Sequence, residues 1–329
     1  GQGANANIPL ALGGIVVCGA IYALIGLGVM SAGAAWIERL MPPVVTGAVV
    51  AVIGLNLASV PVKNMAPTSF DAWMQALTFT TIALVAVFTR GMTRRLLVLV
   101  GLILATVAYA VLTNGLGWGK PISGDLLAKA AWFGAPAFVA PVFDTRAIVL
   151  IAPVALILVA ENLGHLRAVG AMTGRNMDPH LGRAFLGDGV ATMVSGGVGG
   201  TGVTTYAENI GVMAATRVYS TALFVVAALF AIVLGFSPKF GALIHTIPLP
   251  VMGGVSIVVF GLIAVAGAKI WVDNKVDFSD SRNLMVAAVT LVLGTGDFTL
   301  KFGDFAMGGI GTATFGAIIL NAVLGGGKR

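Results

Sequence analysis

Apolar runs long enough to cross a membrane recur along almost the whole chain. About eleven can be counted, at residues 8–30, 44–61, 74–89, 96–113, 147–166, 184–199, 208–216, 218–236, 249–268, 284–298 and 306–325. Most approach the ~20 residues that an α-helix needs to cross about 30 Å of hydrocarbon. Hydrophobic residues make up 58% of the 329 positions and charged residues 10%, which excludes a water-soluble globular protein. The sequence predicts an all-α polytopic membrane protein.

One break in this pattern indicates a functional site. The runs 184–199 and 208–216 are short, and the Gly-rich stretch SGGVGGTGVTTY separates them. Lipid offers no hydrogen-bond partner to a non-helical backbone, so such a backbone needs surrounding protein or a water-filled cavity. Broken segments of this kind hold the substrate sites of many carriers. We therefore expect a short extended strand followed by a half-helix at 200–216.

The distribution of Lys and Arg predicts the orientation in the membrane. Alternate loops hold thirteen and six of these residues, and the richer set is expected to be cytoplasmic. The C-terminus is then inside, in a bacterial inner membrane, and residue 1 is outside, as an odd number of preceding spans would require. The basic residues form no stripe, so the net charge of +6 does not indicate nucleic-acid binding. Cys18 is the single cysteine, which excludes an intrachain disulfide.

Glu161 and His165 are two ionisable residues inside the apolar run 147–166. A spacing of four places them on one face of a helix. A charged group in the bilayer costs a few kcal/mol at least, so it usually faces a cavity and a partner. The pair predicts a proton relay, while a snorkelling pair at the interface remains the alternative because Arg167 follows directly.

Glu208 and Asn209 lie where the half-helix is expected to begin. Thr205 and Glu208 fit the capping box Ser/Thr-x-x-Glu, which would satisfy the helix-end amides without any ligand. The same free amides and the positive end of the helix dipole are also suited to a polar substrate at membrane depth. Both roles stay open from the local pattern.

Other polar positions are weaker candidates. Asp188 is either an intramembrane site residue or half of an Asp-Gly turn at a helix end, and Asp297 and Asp304 are expected in a turn. Several glycines are expected to let helices pack closely, among them Gly13, Gly14, Gly19, Gly26 and Gly28. No nucleotide loop, zinc motif or nucleophile triad is present. The chain is thus expected to be a transporter and not an enzyme, with no cofactor and no metal site.

Three sequence blocks resemble the nucleobase-ascorbate transporter family, also called nucleobase:cation symporter-2. They are AENLGH at 160–165, TTYAENIGVMAATRVYST at 204–221 and IPLPVMGGVS at 247–256. The family signature reads Gln or Glu, Asn, any residue, Gly, four of any, Thr and a basic residue. Its defined positions match Glu208, Asn209, Gly211, Thr216 and Arg217 in order. Glu at the first position is typical of the uracil permease branch, whereas purine and xanthine members carry Gln.

The resemblance implies a fold of fourteen spans in two inverted repeats of seven, of which this chain would hold about eleven and lack the first three. It implies core-domain parts at 1–30 (span 4) and 147–236 (spans 8–11, with the substrate site). Gate-domain parts are implied at 31–146 (spans 5–7) and 237–329 (spans 12–14). A homodimer through the gate domain is also implied.

The resemblance further implies proton symport of uracil or a related pyrimidine by alternating access, with Na⁺ a less favoured coupling ion. Glu161 and Glu208 would bind the base, the backbone N–H at Ala207 would add a donor, and Tyr206 and Asn209 would complete the substrate site. His165 and Glu161 would couple the proton. A purine or xanthine carrier, and a truncated membrane protein that binds without transporting, are the alternatives.

Overall fold

The chain forms a series of mostly apolar helices joined by irregular connections of different lengths. The computed structural model describes residues 7–206, 209–210, 213, 217–302 and 305–325. The helices are α1 (Ile8–Ala32), α2 (Ala35–Leu40), α3 (Pro43–Leu57), α4 (Ser59–Asn64), α5 (Ser69–Phe88), α6 (Gly91–Arg95), α7 (Leu97–Ala110), α8 (Asp125–Lys129), α9 (Thr145–Ile151), α10 (Val154–Thr173), α11 (Leu181–Gly197), α12 (Thr221–Gly235), α13 (Pro238–His245), α14 (Leu249–Asp273), α15 (Ser281–Thr295) and α16 (Gly309–Gly325). A π-helical segment, Val111–Gly115, extends α7, and a 3-10 turn, Asp178–His180, precedes α11.

Within the described ranges, six helical stretches are long and apolar enough to cross a membrane. They are Ile8–Ala32, Pro43–Asn64, Ser69–Phe88, Leu97–Gly115, Thr145–Gly170 and Leu249–Asp273. Helices α12 and α13 pass the same test together but are bent by 83° at the break between them, and α15 and α16 are shorter apolar helices. The prediction of a polytopic helical membrane protein is confirmed. The count of eleven spans stays a prediction.

Polar side chains begin several of these helices. Thr68 and Asp71 form a reciprocal capping box at the start of α5, in which the Asp71 N–H donates to Thr68 Oγ1 at 3.1 Å. Asp144 and Asp280 accept backbone N–H bonds at the starts of α9 and α15. Such caps satisfy amides that have no partner within the helix. They place polar residues where the apolar runs end.

The described chain divides into two compact units. Unit 1 comprises Gly1–Asn56, Phe138–Ile210 and Leu262–Arg329, and unit 2 comprises Leu57–Ala137 and Gly211–Gly261. Unit 1 has one apolar cluster around Tyr22 and Phe185, on α1 and α11, and a second around Val49 and Val286, on α3 and α15. Unit 2 has its cluster around Tyr109. These units do not coincide with the core and gate ranges, which follow the family's repeat and remain a prediction.

A small β-hairpin lies where the sequence predicted only a turn. Strands β1 (Leu300–Phe302) and β2 (Phe305–Met307) pair antiparallel, with Leu300 opposite Met307. The turn role of Asp297 is confirmed, because its φ is +51° and its Oδ1 accepts the Gly309 N–H at 2.9 Å where α16 begins. Asp304 lies outside the described residues.

Candidate functional site

Helix α10 carries both ionisable residues singled out by the sequence. Glu161 and His165 lie one turn apart on this continuous helix, and both are partly buried. Arg167, which raised the possibility of an interfacial snorkelling pair, forms an ion pair with Glu38 of α2. Because Glu161 and His165 are four positions apart on one continuous helix, they lie on the same helical face, as predicted.

Asn162, the residue after Glu161, lies at the centre of a buried polar network. Its side chain is fully buried, and its Nδ2 donates to the Tyr22 hydroxyl and to Asp188 Oδ2, both at 2.5 Å. The Tyr22 hydroxyl donates in turn to the Leu158 carbonyl at 3.4 Å. One amide thus links α1, α10 and α11.

Asp188 connects this network to the irregular segment 201–206. Its Oδ2 accepts from both the N–H and the hydroxyl of Thr205, at 3.2 and 3.1 Å, as well as from Asn162. Asp188 lies inside α11 and not at a helix end, so the turn interpretation left open by the sequence is wrong. Three donors satisfy this partly buried carboxylate, whereas burying it without a partner would cost free energy.

Two further side chains of α11 hold the same segment. Thr192 Oγ1 donates to the Val203 carbonyl at 2.9 Å and accepts the Val203 N–H at 3.3 Å. Ser195 Oγ donates to the Thr201 carbonyl at 2.6 Å. Because residues 188, 192 and 195 are separated by four and three positions, one face of α11 satisfies backbone groups that lipid could not. The segment itself is neither helix nor paired strand.

Glycines bring α1 and α11 into backbone contact beside the network. A Cβ added at Gly26 would lie 2.5 Å from the Leu186 nitrogen, and one at Gly189 would lie 2.5 Å from the Ala23 nitrogen. Gly19 and Gly182 are similarly close to the opposite helix. The expected helix packing role is confirmed for Gly14, Gly19 and Gly26, whereas Gly13 contacts an irregular stretch of chain at Val142 and a Cβ at Gly28 would meet only the edge of Trp36 at 4.0 Å.

The remaining predicted site residues follow the segment held by α11. Tyr206 is 55% exposed, and Asn209 is exposed with its N–H donating to the Tyr206 carbonyl at 3.2 Å. Residues 209, 210 and 213 are helical, in the region predicted as a half-helix. Ala207 and Glu208 lie outside the described residues. The capping box between Thr205 and Glu208 therefore stays a prediction.

A cavity of about 470 Å³ lies beside α10 in unit 1. Gly164 and Arg167 contribute to its wall, together with Glu38 of α2 and Asp273 at the end of α14. His165 directly follows Gly164 and Glu161 precedes it by three positions, but neither belongs to the described residues that line the cavity. The ionisable groups at its wall are those of Arg167, Glu38 and Asp273.

Comparison with known proteins identifies the family. A family model described as "Permease family" matches residues 2–302. The chain belongs to this permease family. It is 67% identical to "Putative pyrimidine permease RutG" of Escherichia coli (strain K12), over 98% of this chain and 73% of that protein.

Two uracil permeases are also similar to the chain. That of Paenibacillus larvae is 42% identical over 94% of this chain and 75% of its own length. That of Bacillus caldolyticus is 40% identical over 95% of this chain and 74% of its own length. The resemblance drawn from the sequence blocks is confirmed, and the permease is a multi-pass integral membrane protein.

Sequence reasoning did not identify two members of the permease's polar network. Asn162 lies inside the AENLGH block, but the ionisable residues Glu161 and His165 of the same block were the ones predicted as site residues. Tyr22 is a lone polar ring in a Gly-rich apolar helix, which gives no local sign of a partner 140 positions away. The 188, 192, 195 spacing of polar residues in an otherwise apolar run was the available signal for the face that holds segment 201–206.

The permease's arrangement combines a fixed frame with groups that can bind or exchange protons. The Asn162 Nδ2 and the Asp188 Oδ2 are engaged by other protein groups, which makes these two residues positioning residues. Glu161 and His165 are partly buried beside them and have the chemistry to accept N–H bonds and to carry protons.

Proposed function

We propose that this permease is a secondary active transporter that imports uracil or a related pyrimidine base by proton symport. The names of its relatives support the substrate class, since one is called a pyrimidine permease and others are called uracil permeases. The observation that carries the proposal is the hydrogen-bonded link from Asn162 through Asp188 to Thr205. Asn162 adjoins Glu161, and Thr205 precedes Glu208 by three residues, so the link joins two residues that are close in sequence to the two glutamates.

The chemistry of uracil matches the proposed binding groups. The ring presents two N–H donors and two carbonyl acceptors. Carboxylates of Glu161 and Glu208 would accept the N–H groups, while the backbone N–H at Ala207 would donate to a carbonyl. Tyr206 and Asn209 would complete the site at its exposed edge. This division of donors and acceptors favours a pyrimidine over an inorganic anion, which two carboxylates would repel.

Proton coupling would follow from the same carboxylates. Two carboxylates around one substrate repel each other, so one of them is protonated at some stage of the cycle. His165, one turn along α10 from Glu161, is placed to exchange that proton. Transport would then proceed by alternating access, with the predicted core ranges moving against the predicted gate ranges.

The remaining structural expectations belong to the same proposal. The permease would lie in a bacterial inner membrane with its C-terminus in the cytoplasm, as the Lys and Arg distribution favours. Two copies would pair through the gate ranges.

Uptake of radiolabelled uracil into proteoliposomes with an imposed pH gradient tests the proposal. We expect accumulation driven by the gradient, competition by excess uracil and weaker competition by xanthine. Glu208→Gln and Glu161→Ala should each reduce uptake by more than tenfold, while Asp178→Asn, at an exposed position outside the proposed site, should retain most of it. Binding without accumulation would instead favour a binding protein, and full transport by Glu208→Gln would leave Glu208 only a capping role.

The pH dependence of uptake separates binding from coupling. His165→Ala should still bind uracil in a detergent-solubilised binding measurement, but its uptake should lose the dependence on the pH gradient. An unchanged pH dependence in this variant would remove His165 from the coupling mechanism without affecting the assignment of the substrate.

A further inference from the structure

Helix α12 marks a membrane boundary within unit 2. All of its fifteen residues are exposed, and from Ala222 to Gly235 none is polar. A helix that is apolar on every side belongs in hydrocarbon, and this one is about 22 Å long at 1.5 Å per residue. The first charged residue after it is Lys239. Residues 236–239 therefore lie where the chain leaves the hydrocarbon.

The loop before α9 is attached to this boundary by hydrogen bonds. The Gly134 N–H donates to the Phe236 carbonyl at 2.9 Å, and the Lys239 N–H donates to the Ala131 carbonyl at 2.9 Å. The Lys239 ammonium also lies 5.1 Å from the centre of the Trp132 ring and 3.4 Å from the Ala130 carbonyl. These contacts hold residues 130–134 at the depth of the α12 end.

The side chains at this depth are large, apolar and exposed. Trp132 is 70% exposed and Phe133 is 77% exposed. Helix α13, turned 83° from α12, runs along the boundary and exposes Phe240, Leu243 and Ile244, which are spaced as neighbours on one helical face. Trp132 and Phe133 in the loop, together with Lys239 and Phe240 on the short amphipathic helix α13, have the composition of a membrane-interface anchor.

We propose that these five side chains, here called the interfacial patch, insert into the boundary between lipid headgroups and acyl chains. The patch comprises Trp132, Phe133, Phe240, Leu243 and Ile244. The ring faces and aliphatic groups would contact the upper acyl chains. Lys239 would meet the phosphates while its stem covers Trp132. The connection before α9 is then a membrane-bound segment and not a loop in water.

Spin labelling tests this depth directly. With Cys18 replaced by alanine, labels are placed at Phe133→Cys, at Leu229→Cys in the middle of α12 and at Arg175→Cys in an exposed polar loop. The permease is reconstituted in phosphatidylcholine vesicles. Relaxation by oxygen, which concentrates in lipid, is compared with relaxation by a water-soluble nickel chelate. We expect the oxygen-to-nickel ratio at 133 to fall between those at 229 and 175.

Three outcomes would overturn the proposal. A ratio at 133 equal to that at 175 would show a water-exposed loop, and a ratio equal to that at 229 would show a deeper location. A label that neither reagent reaches would show a protein partner over the patch. Leu243→Cys, on the exposed face of α13, gives the same test if Phe133→Cys does not fold.

A charge-neutral variant probes the role of Lys239. Lys239→Gln should shift the ratio at 133 toward the aqueous reference by weakening the hold on Trp132. Lys129→Gln, which removes a nearby charge that stacks on no described ring, should leave the ratio unchanged. Equal effects of the two variants would show that Lys239 does not position the patch.

Discussion

Helices α11 and α12 lie before and after residues 201–216 in the sequence, and their surfaces make different contacts. Helix α11 has glycines against α1 and places Asp188, Thr192 and Ser195 against the backbone of the irregular segment. Helix α12 has no described buried side chain, and from Ala222 to Gly235 it has no polar one. The difference indicates that the polar side chains of α11 lie where other protein groups bind them, whereas α12, which has no such partners among the described residues, is apolar.

Of the substitutions that test this comparison, removal of the Asp188 carboxylate should cause the largest loss of stability and uptake. Asp188→Ala leaves the donors of Asn162 and Thr205 without their shared acceptor. Each unsatisfied buried donor costs about 1–3 kcal/mol, so we expect a loss of several kcal/mol and a fall in uracil uptake of more than tenfold. Thermal unfolding in detergent and proteoliposome uptake measure the two effects. Asp178→Ala, at an exposed position, is the control, and wild-type uptake by Asp188→Ala would remove Asp188 from the frame of the site.

Truncating one large side chain on each helix should give the next largest difference. Phe185 is fully buried with its ring 5.4 Å from that of Tyr22, whereas Leu229 of α12 is 59% exposed. Phe185→Ala should cost about 3 kcal/mol through the cavity it leaves, and Leu229→Ala less than about 0.5 kcal/mol. Melting temperatures in one detergent provide the comparison. Similar losses would mean that α12 is packed as tightly as α11.

The glycine contacts between α1 and α11 allow a matched pair of substitutions on one helix. A Cβ at Gly189 would lie 2.5 Å from the Ala23 nitrogen, while one at Gly187 has no atom within 4 Å among the described residues. Gly189→Ala should destabilise by about 1–3 kcal/mol because the backbones must separate. Gly187→Ala should be neutral or stabilise by up to about 1 kcal/mol, from the better helix propensity of alanine. The order of melting temperatures checks this, and a reversed order would contradict close contact at Gly189.

The smallest effect on stability is expected at Asp277, where a contact pattern like that of Asp188 occurs at a solvent-exposed position. Asp277 accepts both the N–H and the hydroxyl of Ser279, as Asp188 does from Thr205. These bonds lower the pKa of Asp277 below its ordinary value of 3.8. Their contribution is full above that value and is lost as pH falls through the lowered pKa. Ser279→Ala should therefore differ little from the wild type in melting temperature from pH 8 to 5, and the small difference should decrease as the pH falls below about 3.8. A large difference in melting temperature at every pH would show that the stabilisation from such a contact does not depend on burial.

Several elements of the permease could be read from the sequence because their causes are local. Apolar runs and their polar ends predicted spans such as 8–30 and 249–268, which the structure gives as Ile8–Ala32 and Leu249–Asp273. The shared face of Glu161 and His165 follows from helical periodicity alone. The hairpin at 300–307 was not predicted, because strands of three residues carry too little periodicity to distinguish from a turn.

The sequence by itself determined that the chain is a helical membrane protein, that its apolar pattern breaks near residue 200, and that acidic residues, among them Asp188 and Glu208, lie on both sides of that break. Only the tertiary structure decided what holds the broken segment in place. Asn162, Tyr22 and Asp188 come from three helices, and their hydrogen bonds join residues 26 and 140 positions apart. Local periodicity carries no information on such distant partners, whereas packing in a medium that offers no hydrogen bonds favours arrangements in which buried polar groups pair with one another.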